Sequence, residues 1–212
     1  MILRPIFGKI ISTLKFGTFE MNKQEFIEKY NIRDALPIDP SLRVLPGEGF
    51  ALGIEEFINE RFRGVAKARA TVSSYSGVLV CPEYVAMFFK TLFTEVYGRS
   101  FINISITSDN ERLTLLIEPD EPLDLTDSQM RNLIRLARNG GMKIYPDDGK
   151  IRLTLLFSEA AIRRVYAISV GDGRSIMLSK MAEIFFSGEL YSDDDKPRTS
   201  PPAPQKKNSV KK

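Results

Sequence analysis

The stretch from Pro82 to Val96 constrains this chain most. Val85, Phe88, Phe89, Leu92, Phe93 and Val96 recur at three-and-four spacing, an apolar stripe wide enough to bury one face of a helix. Beyond Gly98, Ile102, Ile104 and Ile106 alternate with Asn103, Ser105 and Thr107; a polar turn at 108–111 then leads to Leu113, Leu115 and Ile117. Period-two alternation on both sides of a turn predicts an antiparallel hairpin with one buried face. A core helix feeding such a hairpin needs a second layer to cover both apolar faces.

The flanking segments supply that layer. Residues 53–66 return to helical spacing through Ile54, Phe57, Ile58, Phe62 and Val65, with Glu55, Glu56, Glu60 and Arg61 opposite. Alternation over 68–73 and the apolar run 78–80 predict a strand or two before the central helix, and Pro82 suits a first helical turn. Thr126 and Gln129 form a capping box for a further helix with Met130, Leu133, Ile134 and Ala137 on its apolar face, and Asn139-Gly140-Gly141 stops it. A second hairpin follows: 142–145, the turn Pro146-Asp147-Asp148-Gly149, then 151–157 with Ile151, Leu153 and Leu155 alternating. The predicted fold class is α+β, a two-layer sandwich of helices on a mainly antiparallel, mixed sheet.

The predicted organisation is an N-terminal arm and irregular connector over 1–49, the α+β domain over 50–158, a C-terminal extension packed on it over 159–191, and a disordered basic tail over 192–212. Residues 1–20 carry Ile2, Leu3, Ile6, Phe7, Ile10, Ile11 and Leu14, but Arg4, Lys9 and Lys15 interrupt the run short of a membrane span. An amphipathic arm on a membrane surface and a docked or frayed terminus both fit that pattern. Phe26, Ile27 and Tyr30 mark a short helix; 31–49, with three prolines and two glycines, reads as irregular. Residues 160–169 fit helix or strand, and 176–186 read as a helix. Between them, Gly171-Asp172-Gly173-Arg174-Ser175 reads as a plain turn or a short phosphate cradle. The lysines of the tail suit solubilising disorder or an anchor for acidic partners; with a net charge of +3 overall, no specific nucleic-acid binding is expected.

Histidine is absent from the 212 residues, which removes Ser-His-Asp and Cys-His catalysis, histidine-ligated metals and phosphohistidine from this chain at once. The single cysteine, Cys81, excludes an internal disulfide and suits a reducing compartment, the cytoplasm. A buried inert thiol and a reactive thiol at a helix N-terminus are its two readings. No complete set of catalytic residues is legible.

The order of elements over 53–157 resembles the ATP-binding domain of sensor histidine kinases and the wider GHKL superfamily. Cys81-Pro82 stands at the start of the family's N-box helix, Thr91-Leu92-Phe93-Thr94-Glu95-Val96 at the N-box, and Ile117-Glu118-Pro119-Asp120-Glu121-Pro122-Leu123 at its glycine-rich acidic motif. The resemblance implies a nucleotide-binding fold, but the motifs depart from the family pattern. Glu95 stands for the magnesium-holding asparagine. Aligned on the shared proline, Pro119, Glu121 and Leu123 replace the adenine-reading aspartate and its glycines; shifted to put Glu118 at the aspartate, Asp120 and Pro122 replace the glycines. The glycine-rich lid is missing. The expectation is a degenerate module without catalytic activity, needing no cofactor and acting in bacterial signalling through a protein partner. The alternative is an enzyme or nucleotide switch binding Mg-ATP with altered residues, Glu95 on the metal and Glu118 or Asp120 near the base.

Overall fold

The computed structural model describes residues 22–32, 42–72, 77–96, 100–121, 123, 125–157 and 168–187, with 95 and 96 described by backbone only. The N-terminal arm over 1–20, most of 160–169 and the tail over 192–212 lie outside the described residues. The elements are α1 (Lys23–Tyr30), β1 (Arg43–Pro46), α2 (Gly47–Arg61), β2 (Ala66–Thr71), β3 (Gly77–Val80), α3 (Pro82–Val96), β4 (Ile102–Ser108), β5 (Arg112–Pro119), α4 (Asp127–Asn139), β6 (Lys143–Asp147), β7 (Lys150–Leu156) and α5 (Val170–Phe186). The main sheet has the strand order β2-β4-β5-β7-β6. Its pairs are antiparallel except β2 with β4, which run parallel because β3 and α3 cross over between them.

Alternation places the helices on one face only. Ile102, Ile104 and Ile106 of β4, Leu113, Leu115 and Ile117 of β5, and Ile151, Leu153 and Leu155 of β7 are all buried. Their neighbours Asn103, Ser105, Thr107, Glu118 and Arg152 lie on the other, open face. The α+β sandwich, both hairpins, the Pro82 helix start and the Thr126–Gln129 capping box are as the sequence predicts. Gly141 takes φ +84, and a side chain there would run into the Leu79 carbonyl, so only glycine ends α4 this close to β3.

Three expectations are corrected. The connector predicted to be irregular through Gly49 contains β1, paired antiparallel with β3, and α2 starts at Gly47 rather than Gly53, ending at Arg61 so that Ala66 opens a strand. Leu45 and Phe50 are fully buried. Glycines normally weaken helices, but here Gly49 and Gly53 let α2 and α5 touch backbone to backbone; a Cβ at Gly53 would sit 2.6 Å from Met177 Cβ. Likewise Gly171-Asp172-Gly173-Arg174-Ser175 is neither turn nor phosphate loop: it is the first turn of α5, capped by Ser169, with Gly173 buried against Pro46 and Gly49.

Candidate functional site

The three residues that the sequence resemblance singles out, Glu95, Glu118 and Asp120, lie near the end of α3 and the end of β5. Ile102 pairs with Pro119, the Asp120 N–H donates to the Phe101 carbonyl at 2.9 Å, and the Glu121 N–H donates to Ser100 Oγ at 3.0 Å. The backbone therefore brings 118–121 to the same end of the sheet as the last turn of α3, which holds Glu95; the Glu95 side chain lies outside the described residues.

The side chains of the two other predicted residues turn away from that helix. Glu118 follows buried Ile117 and so points to the open face, where its carboxylate pairs with Lys150 at 2.7 Å. Asp120 accepts a hydrogen bond at 3.3 Å from Asn103, also on the open face. On the helical face, Leu123 and Leu125 are 4% and 5% exposed and occupy the short connection to α4. Bulky apolar side chains thus lie in the connection to α4, and both carboxylates lie on the opposite face of the sheet. Among the described residues no group of three or more His, Cys, Asp or Glu could hold a metal ion.

Cys81 is buried, and its thiol donates to Glu83 at 3.4 Å. Burial works to raise the Glu83 carboxyl, but hydrogen bonds from its own N–H, from the Cys81 thiol and from Lys180 outweigh it and hold the group below the usual carboxylate range.

A further cleft lies among residues to which the sequence analysis gave no functional role. About 600 Å³ opens among Arg61, Phe62, Lys90, Phe93, Thr94, Phe185 and Phe186, where the C-terminal ends of α2 and α5 meet α3. Phe62 stacks on Phe93 with ring centroids 4.7 Å apart and tilts against Phe185 at 5.0 Å. Two cations stand at its rim: the Arg61 guanidinium is 5.6 Å from the Phe186 ring, and Lys90 donates to the Ile184 carbonyl at 2.8 Å, capping the end of α5. The signal available in the sequence was the Phe185-Phe186 pair, because adjacent helical residues cannot both face the core.

No protein-family model matches the chain, and no curated protein matches it. Among solved structures the chain is similar to the cytoplasmic segment of the histidine kinase QseC, at 12% identity over 64% of this chain and 89% of that one, with a TM-score of 0.37. It is similar also to the Acinetobacter baumannii histidine kinase AdeS, at 13% identity over 62% and 71% of the two chains, TM-score 0.38. The catalytic domain of the histidine kinase ThkA matches at 8% identity over 56% and 97%, TM-score 0.37. The chemistry rests on this chain's own residues.

Proposed function

We propose that this chain is a histidine-kinase-like ATPase-fold module without catalytic activity, acting in the bacterial cytoplasm as a regulatory or protein-interaction domain in signalling. The observation that carries the reading is the placement of Glu118 and Asp120 on the open sheet face, with Leu123 and Leu125 buried where a glycine-rich motif and lid would admit a nucleotide. The missing histidine agrees with it, since nothing in this chain can carry a phosphohistidine. Among the described residues no helix is long and apolar enough to cross a membrane. The surface best suited to a partner is the aromatic cleft. An apolar anchor would fill it, and carboxylates beside that anchor would meet Arg61 and Lys90.

Calorimetric titration with Mg-ATP, on the wild type and on Glu95→Ala, Glu118→Ala and Asp120→Ala, tests this reading. Loss of specific base recognition costs about 1–3 kcal/mol, enough to move a micromolar site toward millimolar. The expected outcome is no binding that depends on any of these three carboxylates. Micromolar binding abolished by one of the substitutions would establish the nucleotide-switch alternative instead.

A further inference from the structure

We propose that the segment 189–195, which follows α5, docks back into the aromatic cleft of its own chain, with Leu190 and Tyr191 against the rings and its carboxylates on Arg61 and Lys90. The inference rests on the reading of that cleft as the partner surface and names a resident occupant for it. Phe62, Phe185 and Phe186 are only half-buried, although each packs on buried Phe57 or Phe93. Aromatic surface left open to water in this way is a gain in burial that an apolar occupant collects.

Charge narrows the choice of occupant. The Arg61 guanidinium lies against the Phe186 ring and Lys90 gives one donor to the Ile184 carbonyl, but among the described residues neither is in an ion pair. Helix C-termini carry partial negative charge, yet each of these cations brings a full unit of the opposite sign. The fitting occupant therefore joins an apolar anchor to carboxylates. Residues 1–21 are apolar, but Arg4, Lys9 and Lys15 outnumber Glu20 and would meet the two cations with like charge. The segment 189–195 sets Leu190 and Tyr191 between Glu189 and the triplet Asp193-Asp194-Asp195.

Chain length places the segment at the site. Helix α5 ends at Phe186, itself part of the cleft wall, and Ser187 donates to the Ile184 carbonyl at 3.0 Å as the helix stops. From Phe186 to Leu190 an extended chain reaches at most about 14 Å, so no long loop has to be closed. So short a tether gives an effective concentration of about millimolar, and an untethered affinity of about 0.1 mM then leaves the segment docked about nine-tenths of the time. A partner binding in trans has to displace it, which makes the segment a built-in competitor at that surface.

The chain has no tryptophan, so Tyr191→Trp in the full chain provides a single fluorescent reporter. Its emission is expected to be blue-shifted, and its quenching by acrylamide about twofold or more weaker than in a free 187–196 peptide carrying the same substitution. Adding Arg61→Glu/Lys90→Glu should release the reporter to peptide-like quenching, and adding Asp193→Lys/Asp194→Lys/Asp195→Lys to that protein should restore protection. Lys67→Glu/Arg69→Glu, an equal charge reversal on β2, should leave the reporter unaltered. Should the cleft variant melt early, the triple aspartate reversal alone is read instead and should also release the reporter. Peptide-like quenching in the reporter protein, protection that survives either reversal, an equal loss with the β2 control, or protection lost on dilution, as for a second copy, would each overturn the proposal. Each of these outcomes leaves the Mg-ATP titration of the proposed function to be read separately.

Discussion

Asn59 shows how one side chain can finish a sheet. Strand β2 is an edge, and a buried edge residue needs partners for its backbone. The Asn59 amide supplies both for Ala68: it donates to the Ala68 carbonyl at 2.9 Å and accepts from the Ala68 N–H at 2.9 Å. Ala68 is only 2% exposed, so water cannot replace the amide easily. Asn59→Ala is therefore expected to destabilise the protein by about 1–3 kcal/mol, and Asn59→Asp, which keeps the acceptor but sets a carboxylate oxygen against the Ala68 carbonyl, by at least as much. Urea denaturation measures both; an alanine variant within about 0.5 kcal/mol of wild type would remove this role. At the same scale, period-two alternation after Leu113, Leu115 and Ile117 puts Glu118 on the face opposite the core, not near a nucleotide base as the resemblance implied. Its partner Lys150 was not legible, because a cross-strand pair needs the register of β5 on β7.

At the scale of elements, Glu83 joins three pieces of the fold. From the first turn of α3 it reaches Arg43 of β1 at 3.9 Å and Lys180 of α5 at 3.4 Å, besides the Cys81 thiol. Its carboxyl is held low, as is Glu56 by the Arg174 guanidinium from α5 and Asp109 by the N–H groups of Glu111 and Arg112. A carboxyl depressed in the folded state binds fewer protons there than in the unfolded chain. Its stabilisation is complete above the unfolded value, 4.5 for Glu83, and is lost as pH falls through the lower folded value. The expected profile is flat between about pH 5 and 8, where histidine would normally titrate, and falls on acidification. Urea midpoints followed from about pH 7 down to about pH 3 should show Glu83→Gln with a shallower acid loss than wild type. An unchanged acid slope would show that the bridges among β1, α3 and α5 contribute nothing net.

For the molecule as a whole, the boundary matters. A fragment of 42–187 should fold cooperatively, whereas 50–187 lacks β1 and the first turn of α2, and with them fully buried Leu45. Burial of one leucine contributes about 1.5–3 kcal/mol, and β3 also loses its strand partner. Circular dichroism melting should show 50–187 much less stable than 42–187; equal melting would mean that the core closes without β1. The chain by itself determined α3, α4 and the two hairpins, because their signals are local: an apolar stripe, a capping box, alternation broken by turn residues. Only the tertiary structure decided that β1 belongs to the core, that Gly47, Gly49 and Gly53 lie in a helix, and that α5 completes the helical layer. Those outcomes depend on contacts between segments distant in sequence, β1 with β3 and α2 with α5, such as Glu56 with Arg174, where backbone proximity between two helices outweighs the low helix propensity of glycine.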